Sequence, residues 1–185
     1  MKLSDKDIIK CLECGLIEIN PLNQESQIQP ASVDLRLGKG LKAISHMQFP
    51  NGQWGNAPIY PSKKVEYEDK RFMVVNPGEF VLGTTIEYIK IPNGLGATVE
   101  GRSSVGRQGL FVENAGWIDP GFEGQITLEF FNATKNPWHL EEGMRICQIT
   151  FETLTSCATP YNGKYQGQKG TTGGALYKDR IIYKS

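Results

Sequence analysis

The 185 residues carry Lys+Arg 20 against Asp+Glu 20, a formal net charge of +0, which argues against the basic face that a general DNA or RNA binder needs. Hydrophobic residues at 39% and charged residues at 22% exclude a disordered chain, and the length suits one domain with a sizeable core. Gly 21 and Pro 10 favour many turns and short strands over a helix bundle.

No apolar run approaches the ~20 residues that cross a bilayer, so no membrane partner is expected. The opening MKLSDKDIIK lacks the apolar stretch of a secretory signal. A cytoplasmic location follows as the expectation, with Cys11, Cys14, Cys147 and Cys157 as reduced thiols.

Residues 4–16 read as one short helix. Ser4 caps it, and Asp7 three residues on resembles a capping box with Asp in place of Glu. Ile8, Ile9, Leu12 and Leu16 fall near one face at helical spacing. After Pro21 the helical signal stops. Short β-like runs follow at 33–37, 65–68, 71–75, 80–84, 86–91, 97–100, 109–113, 125–132 and 144–151. Asn51-Gly52, Pro77-Gly78, Asn93-Gly94, Pro120-Gly121 and Asn136-Pro137 mark turns between them. The pattern predicts a mainly all-β class: an antiparallel sandwich, barrel or jelly roll. With no internal repeat and no linker, residues 1–185 read as one domain.

The stretch 158–185 differs in character. Gly163, Gly167, Gly170, Gly173 and Gly174 mix with Lys164, Lys169 and Lys178, and apolar residues return only at Ile181-Ile182. It is either a solvated tail or a flexible flap over a ligand, since glycine backbones approach phosphates closely and lysines supply charge.

The densest polar segment is 101–131. Arg102, Ser103, Ser104 and Arg107 place two guanidiniums and two hydroxyls close together, groups that suit phosphate oxygens. Gly101 and Gly106 let the backbone come near; the alternative is a polar turn with surface arginines. In 125–132, Ile126, Leu128 and Phe130 alternate with Gln125, Thr127, Glu129 and Phe131. Glu129 is then either an ordinary surface carboxylate or one that lines a partly apolar cleft, with acid/base capability. Asp119, before Pro120-Gly121, is a turn residue or a carboxylate for a sugar hydroxyl or a water.

Two motifs mislead. Cys11 and Cys14 form a CxxC inside the predicted helix, with no second pair at metal spacing, so Cys11 reads as structural. His139-Leu140-Glu141 matches the H-x-E of zinc nucleoside deaminases, but those also need P-C-x-x-C downstream. Zinc deamination is therefore disfavoured. No nucleophile–histidine motif surrounds His46 or His139, and no Walker A loop or G-x-G-x-x-G occurs.

Residues 101–131, with Ala31-Ser32-Val33-Asp34-Leu35-Arg36 and Lys164-Tyr165-Gln166-Gly167-Gln168, strongly resemble the dCTP deaminases of the trimeric dUTPase superfamily. Arg102-Ser103-Ser104 is similar to the superfamily's second motif, and Gly116 through Gly124 to its third. Thr127-Leu128-Glu129 resembles a strand specific to the deaminases. The resemblance implies a distorted β jelly roll, a homotrimer with sites between subunits, and deamination without zinc, magnesium riding on the triphosphate. It implies that Arg102, Ser103, Ser104, Val105, Gly106 and Arg107 hold the triphosphate and that Asp119 contacts the deoxyribose. Thr127, Leu128 and Glu129 would frame the cytosine, and backbone near Ala115 would position a water. Gln148, Tyr161, Lys164 and Gln168 would complete the nucleotide site. Glu129 would shuttle the protons.

Asn114-Ala115-Gly116-Trp117 is more similar to members that go on to cleave dUTP to dUMP and pyrophosphate, with Asp119 orienting the second water. The alternatives are a deaminase that releases dUTP, a plain dUTPase, for which Glu129 has no task, and a nucleotide-sensing trimer without catalysis. Inhibition by dTTP is an expectation of the family.

Overall fold

In the computed structural model, which describes residues 1–43, 46–48, 54–56, 60–61, 64–67, 70–113 and 116–175, the N-terminal helix opens as the sequence predicts. The Ser4 hydroxyl accepts the Asp7 N–H at 3.4 Å. Asp7 Oδ2 accepts in return from the Ser4 hydroxyl at 2.8 Å and the Ser4 N–H at 3.4 Å. This reciprocal box satisfies donors that a helix start leaves over. The helix is shorter than predicted: it spans Asp5–Glu13 with Cys14 as C-cap. Gly15 at φ +70 turns the chain away, which leaves Leu16 at 47% exposure and buries Ile17 in its place.

Two antiparallel sheets carry most of the strands. The larger runs Leu110–Glu113, Glu123–Asn132, Phe80–Lys90, Lys42–Ala43, Tyr60–Pro61, with Glu18–Asn20 also paired to Phe80–Lys90. The second runs Trp117–Ile118, Leu95–Gly101, Arg145–Thr153, Ser32–Arg36, Ile28–Gln29. Smaller ladders join Trp138–Glu141, Lys70–Val75 and Lys64–Tyr67, and His46–Gln48 with Trp54–Asn56. Apolar side chains from both large sheets, among them Val33, Leu35, Leu128, Phe130, Ile149 and Phe151, form one buried cluster. Leaving water is what drives that association. The architecture is the β jelly roll with a short N-terminal helix that the sequence leads one to expect.

The runs at 80–84 and 86–91 prove to be one strand. Its register against Glu123–Asn132 slips between Thr84, opposite Thr127, and Tyr88, opposite Gln125. Such a bulge re-aims side chains. Here it turns Glu87 into the interior at 0% exposure. The carboxylate accepts from Arg36 Nε at 2.6 Å, Arg36 N at 2.9 Å and Gln27 Nε2 at 2.9 Å, so one buried ion pair ties the two sheets together. Two one-turn helices, Gln24–Gln27 and Ser103–Gly106, correct the reading that helix ends at Pro21. Segments of two to four residues carry too few positions to show a period. Glu68, the Asn51-Gly52 turn, Lys178 and Ile181-Ile182 lie outside the described residues.

Candidate active site

The predicted site residues fall into groups on the two sheets. The first surrounds Asp34, fully enclosed in the strand Ser32–Arg36. Gln148 stands opposite Asp34 in register and accepts the Ser32 hydroxyl at 3.2 Å. Arg102 follows directly on Leu95–Gly101, whose Gly101 pairs with Cys147. Its Nε meets Asp34 Oδ2 at 3.2 Å, and its Nη1 donates to the Arg145 carbonyl at 3.1 Å. Arg145 Nη1 meets the same Asp34 oxygen at 3.1 Å and donates to the Ser26 carbonyl at 2.7 Å. Arg102 is thus no ordinary surface arginine. Burial pushes the Asp34 carboxyl above its ordinary value, while the charges of Arg102 and Arg145 pull it back. Ser103, Ser104, Gly106 and Arg107 form an exposed turn beside this group. Val105 points its side chain into the core and can offer a ligand only its backbone.

The second group is a turn. The Phe122 N–H donates to the Asp119 carbonyl at 3.1 Å, with Pro120 and Gly121 between them. Gly121 sits at φ +79, the left-handed position of a type II turn, for which Pro-Gly is suited. Trp117 Nε1 donates to Asp119 Oδ1 at 2.9 Å. Gly116 accepts the Val99 N–H at 2.8 Å through its carbonyl, which fixes the chain entering this edge strand.

The third group lies on Glu123–Asn132. Ile126, Leu128 and Phe130 are buried, while Gln125, Thr127 and Glu129 are half-buried on the opposite face, as the alternation predicts. Leu128 can therefore offer a ligand only its backbone. Glu129 stands between Leu82 on one neighbouring strand and Glu113 on the other. The solvated-tail reading is corrected over 161–175. The Tyr161 N–H donates to the Pro120 carbonyl at 2.8 Å, and the Gly167 N–H to the Glu123 carbonyl at 2.7 Å. Gln168 exchanges bonds with Gln125: its carbonyl accepts the Gln125 N–H at 2.9 Å, and its Nε2 donates to the Gln125 carbonyl at 2.7 Å. The Thr172 N–H donates to Thr127 Oγ1 at 3.2 Å. Lys42 Nζ donates to the Thr171 carbonyl at 2.6 Å. Lys164 Nζ lies 5.6 Å from the centre of the Tyr165 ring, whose hydroxyl accepts the Ala175 N–H at 3.0 Å.

Asn114 and Ala115 lie outside the described residues. His139 and Glu141 flank buried Leu140 on a strand and are exposed, with His139 edge-on to Phe72. Cys11 and Cys14 are free thiols at the end of the helix. Sequence reasoning assigned no task to Asp34, Arg145, Gln125 or Thr172. For Asp34 a signal was present: one carboxylate between Val33 and Leu35 in a run otherwise fit for the core must be paired.

The family described as dCTP deaminase-like matches residues 2–154. The chain belongs to that family. A relative from Sulfurihydrogenibium sp. (strain YO3AOP1) named "dCTP deaminase, dUMP-forming" is 50% identical over 185 residues, covering 97% of this chain and 99% of the relative. A relative of the same name from Methanosphaera stadtmanae is 48% identical, covering 96% of this chain and 94% of the relative. Among solved structures, the 2'-deoxycytidine 5'-triphosphate deaminase of Agrobacterium tumefaciens shares the fold, with a TM-score of 0.60 at 24% identity. That match covers 82% of this chain, which spans 47% of the solved chain's length. The dCTP deaminase-like match contains Arg102, Asp119, Glu129 and Gln148. Tyr161, Lys164 and Gln168 follow it, within the length that the two relatives share.

Proposed function

We propose that this chain hydrolyses dCTP to dUTP and ammonia, then cleaves dUTP to dUMP and pyrophosphate. The observation that carries it is Glu129: a half-buried carboxylate two residues from Thr127, on a strand face over which the tail is laid. The shared name of the two full-length relatives supports both steps. Glu129 takes a proton from water, whose oxygen bonds to the ring carbon that carries the amino group. That proton passes to the adjacent ring nitrogen; the remaining hydroxyl proton is then handed through the carboxylate to the amino group, the carbon–nitrogen bond breaks as the carbonyl forms, and ammonia leaves. Proton transfer by one positioned group is worth roughly 10²–10⁴-fold. Thr127, the Leu128 backbone and water held near Ala115 frame the cytosine. Arg102 through Arg107 hold the triphosphate, which brings its own magnesium as part of the substrate, and Gln148 helps to complete the nucleotide site. Tyr161, Lys164 and Gln168 complete the enclosure.

The active unit in this reading is a homotrimer. The guanidinium group and the Glu129 group lie on different sheets, and a neighbouring subunit would bring them together. Phe80, Phe131 and Phe111 also stand in register across three strands, 37%, 36% and 48% exposed. A row of exposed rings fits burial against another copy. Inhibition by dTTP, which has the same sugar and triphosphate, belongs to the same reading. So does a cytoplasmic location; no described helix is long and apolar enough to cross a membrane.

The test is product analysis. Incubated with dCTP and magnesium, the protein should release ammonia, dUMP and pyrophosphate, and Glu129→Gln should bind dCTP while losing at least about 10²-fold in deamination. Persistent dUTP would restrict the activity to the first step. Turnover of dUTP alone would leave a dUTPase, and tight binding without turnover a sensor. An active Glu129→Gln enzyme would refute the role of the carboxylate.

A further inference from the structure

We infer that Trp117 is a positioning residue that aims Asp119 for cleavage of the triphosphate, an inference that rests on the dUMP-forming reading above. Trp117 is 48% exposed, so it is not placed where it is for core packing. Two contacts fix its ring. Trp117 is paired with Thr98, and its ring crosses diagonally onto Gly96 in the same neighbouring strand. A Cβ at Gly96 would overlap two carbons of the indole and crowd a third. Glycine inside a strand forgoes packing and conformational economy, and it marks a place where another group comes close. Here the close group is the benzenoid end of the indole. With the ring seated on that floor, its N–H can point in few directions, and it meets Asp119 Oδ1 at 2.9 Å.

The main chain of Asp119 is fixed separately. The type II turn holds its carbonyl through Phe122, and the tail holds the next residue through the bond from Tyr161 to Pro120. Only side-chain rotation is left, and the indole removes it. Oδ1 is occupied, and Oδ2 has no partner among the described residues. It keeps its acceptor sites for substrate and water.

In the second step the oxygen of a water bonds to the α-phosphorus. The bond from that phosphorus to the α–β bridging oxygen breaks, and pyrophosphate leaves with the electron pair. Asp119 Oδ2 accepts the proton that the water sheds. An attacking water must sit in line with the leaving group, and a carboxylate free to rotate would hold it there a smaller part of the time. Glu129 lies on the other large sheet, away from the edge strand that carries Trp117, so deamination depends on the indole less.

Trp117→Phe keeps an aromatic ring at this position and removes the donor, together with the outer benzenoid carbons that meet Gly96. With dUTP as substrate its kcat should fall about tenfold or more, the scale of a lost hydrogen bond to a charged group, with KM changing less. With dCTP as substrate, dUTP should accumulate, because deamination falls at least fivefold less than cleavage. Trp117→His, whose ring N–H can still donate, should recover most of the cleavage rate. Gly96→Ala, which lifts the indole off its floor, should reproduce the loss. Circular dichroism and melting curves establish that each variant is folded. Equal losses at both steps, or a histidine variant no better than the phenylalanine one, would overturn the role. A wild type that itself stops at dUTP would sink the dUMP-forming reading and this role together. A wild type that makes dUMP, with a Trp117→Phe variant that keeps pace, would sink this role alone.

Discussion

The guanidinium group around Asp34 and the carboxylate group around Glu129 are held together in opposite ways. On the Asp34 side, charges satisfy one another before any ligand arrives: one enclosed carboxylate oxygen takes both Arg102 and Arg145. Its scaffold is three paired strands of one sheet. On the Glu129 side the frame is mostly neutral and comes from far along the chain, as backbone N–H groups of Gly170 and Thr172 meeting side chains of Gln125 and Thr127. The first arrangement is an electrostatic device set by folding. The second is a cover laid over a strand by many single bonds, each worth about 1 kcal/mol. Under the proposed function the two are complementary: the preset charges would bind phosphates at little reorganisation cost, and the tail would open to admit the nucleotide.

The loss expected for Glu129→Gln is the largest effect, because it removes the proposed proton shuttle while keeping the size of the side chain. Next comes Asp34→Ala. It strips the partner from two guanidiniums, one of which is proposed to hold phosphate. Breaking a buried pair costs about 3–5 kcal/mol when the survivor is enclosed. Here the survivors reach solvent, with side-chain exposures of 26% for Arg102 and 41% for Arg145, so we expect about 2 kcal/mol. Urea unfolding without nucleotide measures it. An unchanged midpoint would mean that the Asp34 side is not assembled in advance.

The same contrast explains what could be read from the sequence. The strand carrying Glu129 was legible over 125–132 because apolar residues recur there at every second position, and the break seen between 80–84 and 86–91 was the bulge itself, met as a lapse in pattern. Ser4 and Asp7 announced the helix start because their bonds are local. The partners of Asp34 were not legible: Arg102 and Arg145 lie 68 and 111 residues away, and nothing in a linear spacing states that two strands will bring them to one oxygen. The tail misled for a related reason. Glycines at 163, 167 and 170 resemble a solvated segment, yet Gly167 and Gly170 both hold positive φ, the conformation that lets the segment wrap back and spend its N–H groups on Glu123 and Gln125.

The smallest effect sharpens the comparison most. Gln125 was not among the expected site residues, yet its side chain is the joint between bulge and tail. Nε2 donates to the carbonyls of Thr85 at 2.9 Å and Ile86 at 3.1 Å, and Oε1 accepts the Gly170 N–H at 2.6 Å. Gln125→Ala should leave the Asp34 side untouched and cost the free protein about 1 kcal/mol in urea. The tail, held by fewer bonds, should open more often and become cleavable by protease at low doses that spare the wild type. Because closure then draws on binding energy, KM for dCTP should rise about tenfold, with kcat falling less. Should Gln125→Ala instead resemble Asp34→Ala, losing stability without any change in KM or protease sensitivity, the tail is no cover but one more fixed strand of the sheet, and the distinction between a preset side and an assembled side fails.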